Sequence, residues 1–306
     1  MKQIRHAVLV GLGAVGIMYG KQIVDHLGPE SLTVMADAER VQRYRTGGIL
    51  ANGEPCPFRY RSWEEAEGPA DVVFFATKYT TFADAADRAA AVIGPDTILV
   101  SLLNGIVSEE DLARRYGEKN LIYCSVQGMD ATRTGNHVTY QNLGYAAVGE
   151  KDGSQSENLL AVRDFLASAG LDCQIPEDIR HHQWSKMMLN TGINQVTAVY
   201  GTTYGGVMSD PKLTALTRAA MKEVQAVAEP EGVHLTDEEI DDWLKLVASL
   251  APDGTSSMCQ DTRSHRKTEV DLFGGTAVRL GRKHHIPTPV NDELVKRIHE
   301  IEASWE

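Results

Sequence analysis

Along the first half of the chain, short apolar runs alternate with longer stretches in which apolar residues recur at helical spacing. The short runs predict strands over Ala7–Val10, Ser31–Met35, Asp71–Ala76 and Thr97–Leu102. The pattern predicts helices over Val15–Leu27 and Phe82–Ile93, each ended by a Gly-Pro pair. Further strands are predicted over Leu121–Val126 and near Val138–Tyr140 and Tyr145–Val148, before a helix over Asn158–Ala169. This alternation is typical of a parallel sheet covered by helices.

Beyond Gln174–Asp178 the pattern changes, and nearly all of the remaining chain has helical spacing. Helices are predicted over Asp210–Glu231, Thr236–Leu250 and Asn291–Trp305. The sequence therefore predicts an α/β domain over residues 1–176 and an all-α helical domain over residues 177–306.

One predicted helix, Trp184–Val199, is apolar almost everywhere except at Lys186, Asn190 and Asn194. Steps of four residues advance about 40° each, so the three side chains fall within an arc of about 80° on one face. An ammonium and two carboxamides on an otherwise buried helix are unfavourable unless a polar group lies opposite them. The spacing therefore indicates a substrate site. The structural alternative is a lysine that reaches water beside asparagines at a helix crossing.

A glycine-rich turn follows the first strand and opens the first helix, with the residues Gly11, Leu12, Gly13, Ala14, Val15 and Gly16. In such a turn the first glycine permits the sharp bend, the second lets the backbone approach a pyrophosphate, and the third allows close helix–strand packing. The phosphates then lie at the positive end of the helix. Because a strand precedes the turn and a helix follows it, the motif predicts a dinucleotide-binding domain.

The residue that ends the second strand bears on the choice of cofactor. Asp37 stands there, about twenty residues past the glycine turn, where a carboxylate binds the ribose 2′-hydroxyl of NAD and repels a 2′-phosphate. Arg40, Arg43 and Arg45 follow, and one of them could bind a 2′-phosphate if Asp37 turned away. The sequence therefore leaves NAD(H) and NADP(H) open.

Other polar residues stand where a ligand could reach them. Asn104 and Gly105 follow the fourth strand, at the end of a parallel sheet where ligands bind, although the pair alone is an ordinary turn. Ser257 could donate a hydrogen bond to a carboxylate, and Asp261 and Glu269 are predicted to share one helical face. The structural alternative is a solvated helix face with a serine cap.

Composition and charge narrow the function classes. The 306-residue chain has a net charge of −12 and no long run of Lys or Arg, which disfavours nucleic-acid binding but allows a small anionic ligand. The sequence shows no bilayer-spanning apolar run and no signal peptide, which predicts a cytoplasmic protein without a membrane partner. The four cysteines are far apart and the paired histidines lack ligand spacing, so no metal site is predicted.

Together these residues resemble the ketopantoate reductases, or 2-dehydropantoate 2-reductases, over the whole chain. The similarity rests on five motifs in order, which are Gly11–Gly16, the strand-end Lys78, Asn104-Gly105, the spaced residues Lys186, Asn190 and Asn194, and Ser256–Asp261 with Thr268–Asp271. The resemblance implies a Rossmann-type N-terminal domain and a C-terminal domain like that of 6-phosphogluconate dehydrogenase.

The resemblance also implies roles for individual residues. Lys186 would be the catalytic acid and would bind substrate together with Asn190, Asn194 and Ser257. The cofactor, NADP(H) in the family, would lie along the glycine turn and a set of further residues, namely Asp37, Lys78, Asn104, Ala131 and Glu269. The implied reaction is the reduction of 2-dehydropantoate to D-pantoate in the pathway to pantothenate and coenzyme A.

Two departures from the family pattern keep alternatives open. Asp37 replaces the Arg that many members use to hold a 2′-phosphate, which makes NAD(H) plausible. A third Asn of some members is replaced within Tyr200–Gly205, where Tyr204 could alter the substrate pocket. Another branched 2-keto acid is therefore an alternative substrate, and a regulator that binds a dinucleotide without turnover is an alternative from a different class. A homodimer is expected only from the base rate for enzymes of this size.

Overall fold

The computed structural model describes residues 2–305, which form two compact units divided between His182 and Gln183. The division falls inside a long helix, beyond the predicted boundary between residues 176 and 177. The physical reason is packing of the first turn of that helix, because Ile179 is 1 % exposed and belongs to a core cluster of the N-terminal unit.

The N-terminal unit contains twelve strands and five α-helices among the described residues. The strands are β1 Ala7–Val10, β2 Leu32–Ala36, β3 Leu50–Ala51, β4 Glu54–Pro55, β5 Arg59–Ser62, β6 Val72–Phe75, β7 Ile98–Ser101, β8 Leu121–Met129, β9 Thr132–Thr134, β10 His137–Thr139, β11 Leu143–Gly149 and β12 Asp172–Gln174. The helices are α1 Ala14–Leu27, α2 Ala38–Gly47, α3 Phe82–Arg88, α4 Ser108–Tyr116 and α5 Glu157–Ser168.

Eight of these strands form one sheet in the order β12-β11-β8-β7-β6-β1-β2-β5. The six strands from β8 to β5 pair in parallel, and β11 runs antiparallel to β8. Strand β2 pairs with one edge of β1, and β6, which comes later in the chain, pairs with its other edge. The direction in which strands are added to the sheet therefore reverses at β1. In open α/β sheets the crevice at such a reversal, at the carboxyl ends of the strands, binds ligands.

The central strands are apolar throughout because helices cover both faces of the sheet. In β1 the side chains of Ala7 and Leu9 enter one core cluster, and those of Val8 and Val10 enter the other. A second, small sheet has the order β4-β3-β10-β9 and adds Val138, which is fully buried, to the first of these cores.

The second unit contains only helices among the described residues. They are α6 Ile179–Tyr200, which begins in the first unit, and α7 Tyr204–Ser209, α8 Pro211–Ala228, α9 Asp237–Ser249, α10 Ser257–Arg263, α11 Gly274–His284 and α12 Pro289–Ala303. A buried polar chain links three of them: the side-chain amide of Gln195 donates to Asn291 Oδ1 at 2.8 Å, and the Asn291 amide donates to Glu223 Oε2 at 2.7 Å.

The predicted fold class is confirmed, and the predicted strands of the large sheet lie within a few residues of those observed. The predicted helix over Phe82–Ile93 is instead α3 followed by a 3-10 helix over Ala89–Val92. Of the helices between residues 2 and 305, none combines the length and apolar character that crossing a bilayer requires.

Candidate active site

The glycine turn joins β1 to α1 at the reversal of strand order. Gly11 has φ +101°, and a Cβ on it would lie 2.8 Å from the backbone carbon and oxygen of Ala76, just past β6. Only glycine fits there, because both the backbone angle and the close approach exclude a side chain. The turn therefore lies directly against the end of the neighbouring strand.

The N-terminus of α1 has the features of a phosphate site. Gly13 is the N-cap residue, no side chain caps the helix, and its first turn contains no acidic residue. The first intrahelical bond runs from the Ile17 amide to the Gly13 carbonyl at 3.0 Å. The amides ahead of Ile17 have no intrahelical acceptor, and the helix dipole favours an anion there. These residues fit the diphosphate of a dinucleotide.

Asp37 follows β2 directly and caps α2. Its Oδ1 accepts a hydrogen bond of 2.8 Å from the Arg40 amide, and its Oδ2 lies 3.3 Å from Arg40 Nε. The side chain is 42 % exposed, so the carboxylate has room for a further donor. Arg45 is engaged elsewhere, since it donates to the Tyr60 carbonyl at 2.7 Å and to Glu65.

Three further residues lie around the carboxyl ends of the neighbouring strands. Lys78 follows β6 and is exposed, Asn104 follows β7 and is half-buried, and Ala131 lies in the turn between β8 and β9. The structure therefore places Lys78 and Asn104 at the same edge of the sheet as the glycine turn, as the sequence predicts.

A buried hydroxyl chain fixes the backbone just before Asn104. The Leu103 amide donates to Ser101 Oγ at 3.2 Å, Ser101 donates to Ser108 Oγ at 2.8 Å, and Ser108 donates to Glu109 Oε2 at 2.8 Å. Glu109 is fully buried in the first turn of α4. No local sequence pattern predicts this network.

Three of the four residues predicted to bind substrate lie on α6. Lys186 and Asn190 are half-buried, and Asn194 is 6 % exposed, whereas Met187, Met188 and Val196 on other faces are fully buried. Each polar residue is one turn from the next, which brings an ammonium and two carboxamides onto one helix face. The three polar side chains share this face, and two of them, Lys186 and Asn190, are partly accessible to solvent.

Ser257 is held close to the C-terminal end of this polar face. Thr197 lies three residues after Asn194, and its hydroxyl shares a hydrogen bond of 2.7 Å with Ser256. Ser256 caps α10 by accepting from the Cys259 amide at 3.1 Å, and Ser257 is the exposed first residue of that helix. The structure therefore brings Ser257 toward the asparagines.

The prediction that Asp261 and Glu269 share a helical face is wrong. Helix α10 ends at Arg263, and His265 has φ +49°, a left-handed conformation that ends the helix. Asp261 Oδ1 instead accepts from Arg266 Nε at 2.8 Å. Glu269 lies beyond this turn, immediately before a 3-10 helix over Val270–Leu272.

A buried carboxylate that sequence reasoning missed fixes the segment carrying Glu269. Glu302, on α12, accepts from the Thr268 amide at 2.8 Å and from the Thr268 hydroxyl at 2.7 Å. Burial raises the pKa of Glu302, but these hydrogen bonds outweigh it and hold the pKa below its ordinary value. The carboxylate is therefore charged at neutral pH and pins the residue before Glu269.

Tyr204 serves packing within the second unit. Its amide donates to the Gly254 carbonyl at 2.9 Å, and its ring packs against an apolar cluster that includes Val207 and Val247. Burial raises the pKa of its hydroxyl. A Cβ on Gly254 would lie 3.1 Å from this ring.

Comparison with known proteins agrees with this geometry. Residues 7–153 match the family described as "Ketopantoate reductase PanE/ApbA", and residues 178–302 match "Ketopantoate reductase PanE/ApbA C terminal". The chain is 27% identical over 301 residues to a 2-dehydropantoate 2-reductase of Archaeoglobus fulgidus, covering 98% of this chain and 99% of the relative.

Two solved structures share the fold. D-mandelate dehydrogenase in ternary complex with NADH and anilino(oxo)acetate superposes with a TM-score of 0.86 at 22% identity, covering 97% of this chain and 99% of that one. The dimeric ketopantoate reductase of Staphylococcus aureus gives a TM-score of 0.82 at 19% identity, covering 98% and 100%.

Proposed function

The chain belongs to the ketopantoate reductase family, and we propose that it reduces 2-dehydropantoate to D-pantoate with a nicotinamide dinucleotide. The observation that carries the proposal is the polar face of α6, where Lys186, Asn190 and Asn194 lie one turn apart on a helix whose residues Met187, Met188 and Val196 are fully buried. A positioned ammonium beside carboxamides suits a substrate that carries a keto group and a carboxylate.

In the proposed reaction the glycine turn and the N-terminus of α1 would hold a reduced nicotinamide dinucleotide, which would supply the hydride for the keto carbon. Negative charge then develops on the carbonyl oxygen, and the Lys186 ammonium stabilises this charge and donates the proton that completes the hydroxyl. Lysine regains the proton from water, so the net change is one keto acid, one hydride and one proton combined into a 2-hydroxy acid. The positive charge of Lys186 also attracts the anionic substrate.

The other residues of the polar face position the substrate. The amides of Asn190 and Asn194 donate to oxygens of the substrate and accept from its distal hydroxyl, and the Ser257 hydroxyl supplies one more donor. Asn194 is almost buried, which restricts its rotamers and makes its amide a fixed reference point. The main effect of these side chains is orientation of the keto carbon.

Replacement of Lys186 tests this mechanism. Lys186→Ala should lower kcat by about 10²- to 10⁴-fold while dinucleotide binding stays unchanged, because the lysine acts on the substrate oxygen. The matched control is Lys245→Ala, which removes an ammonium that pairs with Asp242 on the exposed face of α9. Wild-type turnover by Lys186→Ala would show that this lysine is not the proton donor.

We further propose that NADH is preferred to NADPH. The Asp37 carboxylate is held in place by the Arg40 amide and guanidinium, and Arg45 is engaged with Tyr60 and Glu65. A fixed carboxylate at the end of β2 accepts from ribose hydroxyls and repels a 2′-phosphate. In the solved neighbour D-mandelate dehydrogenase, the bound dinucleotide is NADH.

Asp37→Ser separates the effect of the negative charge at this position from the role of Asp37 as the N-cap of α2. Serine also caps helices well, so α2 should stay stable while the repulsion of a 2′-phosphate is lost. We expect the ratio of kcat/KM for NADPH to that for NADH to rise about tenfold or more. An unchanged ratio would show that Asp37 does not face the 2′ position.

A second candidate is a reductase of the same fold that acts on another branched 2-keto acid. The observation that favours it is the packing of Tyr204 in an apolar cluster, because Tyr204 belongs to the segment in which some members carry a third Asn. A panel of 2-dehydropantoate, 2-oxoisovalerate and benzoylformate at equal concentrations separates the two candidates. A regulator without turnover would bind the dinucleotide and oxidise it with none of these acids.

We also propose that the enzyme acts in the pathway to pantothenate and coenzyme A, that it is cytoplasmic, and that it forms a homodimer. The dimeric enzyme of Staphylococcus aureus, which has the same fold, supports the homodimer. Analytical ultracentrifugation of the purified chain measures its mass directly, and a species with the 33.5 kDa of one chain at micromolar concentration would contradict a stable dimer.

A further inference from the structure

An arginine outside the recognised motifs contacts the glycine turn. Arg133, on β9, donates from Nη1 to the carbonyl oxygen of Leu12 and from Nε to the Gly135 carbonyl at 2.8 Å. Leu12 lies in the middle of the glycine turn, and Gly135 lies in the tight turn between β9 and β10. One guanidinium therefore ties the small sheet to the dinucleotide loop.

The strand register fixes the side of the sheet from which Arg133 reaches the loop. Arg133 pairs with Val138 in the antiparallel β9–β10 ladder, and side chains of paired residues point to the same face. Val138 is fully buried in the core that also contains Leu12 and Ile17. Arg133 thus starts from the face that packs toward the glycine turn, and its half-buried position limits its freedom.

This contact sets the orientation of one peptide plane. The bond between Leu12 and Gly13 is trans, so the Gly13 N–H points away from the side to which the Leu12 carbonyl points. With the carbonyl bound to Arg133, the Gly13 amide is directed away from the guanidinium. A loop carbonyl turned toward a diphosphate would repel it, whereas an amide attracts it.

We propose that Arg133 is a positioning residue for the dinucleotide, holding the Leu12–Gly13 peptide so that the amides of the turn, and not its carbonyl, face the diphosphate. The inference rests on the proposed function, because it presupposes a nicotinamide dinucleotide at α1. Through Arg133, the four-stranded sheet thereby contributes to the cofactor site.

The test is a fluorescence titration of the purified full-length chain with NADH and NADPH, without substrate, followed by steady-state kinetics. Arg133→Met removes both hydrogen bonds and should raise the Kd for NADH about tenfold, while kcat at saturating cofactor stays within about twofold. Arg133→Lys keeps the charge but cannot make both bonds from one planar group, so we expect about a threefold rise. Arg163→Met is the matched control, because that guanidinium pairs with its neighbour Asp164 on α5.

The outcomes separate this inference from the proposed function. An Arg133→Met variant that binds NADH as tightly as wild type overturns the inference alone, and so does one that loses kcat as strongly as affinity. A wild-type chain that binds neither dinucleotide contradicts the proposed function as well. If Arg133→Met is not recovered folded, Arg133→Lys decides, with unchanged affinity overturning the inference.

Discussion

Two alanine substitutions in the glycine turn should separate folding from cofactor binding. A Cβ on Gly16 would lie 2.3 Å from the Gly11 carbonyl oxygen and 3.0 Å from Ala76 Cβ. A Cβ on Gly13 would meet only the Ala76 carbonyl oxygen, at 3.3 Å, and Gly13 has φ −71°, which alanine adopts freely. The two positions therefore differ in how much room the fold leaves.

The magnitude follows from these distances. Carbon and oxygen atoms normally approach to about 3.3 Å, so Gly16→Ala must open the packing of α1 against the strands by about 1 Å. Overpacking of this kind costs about 1–3 kcal/mol, and we expect about 3 kcal/mol because the clash is with the backbone. For a unit of this size, that lowers the thermal midpoint by about 6–12 °C. Gly13→Ala should lower it by less than about 3 °C.

Gly13→Ala should leave stability nearly unchanged but weaken cofactor binding. Its added methyl group stands at the N-terminus of α1, where the backbone must approach the diphosphate, so we expect the Kd for NADH to rise about tenfold. Circular dichroism melts and fluorescence titration of both variants measure the two quantities. A Gly16→Ala protein that melts with the wild type would refute the packing argument.

Two further predictions concern the second unit. The folded-state pKa of Glu302 lies below its unfolded value, so its stabilisation is present above about pH 4.3 and is lost as pH falls through the folded pKa. In urea unfolding, the deficit of Glu302→Gln relative to wild type should therefore be full at pH 7 and should shrink steadily as the pH is lowered through the folded pKa; a deficit that does not change with pH would contradict the assignment. Thr197→Val removes the bond to Ser256 and should raise the KM for the keto acid several-fold, by about 1 kcal/mol, with kcat little changed. Thr197→Ser keeps the hydroxyl and serves as its control, and equal KM values for the two variants would show that this bond does not position Ser257.

The features that were predictable from the sequence are local ones. The alternation of strands and helices along the N-terminal unit is predicted by apolar runs and their spacing. The glycine turn is predicted by six adjacent residues. The polar face of α6 was also predictable from the sequence, because residues four apart in a helix lie on the same face. Each of these depends on a short stretch of chain.

The remaining features depend on residues far apart in sequence. Strands β3 and β4 have two residues each, which is too short for a period to be visible. The segment of Glu269 is fixed by Glu302, and the glycine turn is fixed by Arg133, across intervals that no local pattern spans. The predicted helix through Asp261 and Glu269 failed because His265 takes a left-handed conformation that its residue type does not demand.

The most direct test of the proposed function is the initial rate of dinucleotide oxidation by the wild-type chain with 2-dehydropantoate, measured side by side with NADH and NADPH. We expect oxidation only when the keto acid is present, and a higher kcat/KM with NADH. Absence of oxidation with either cofactor would contradict the proposed activity, and a higher kcat/KM with NADPH would contradict the role assigned to Asp37.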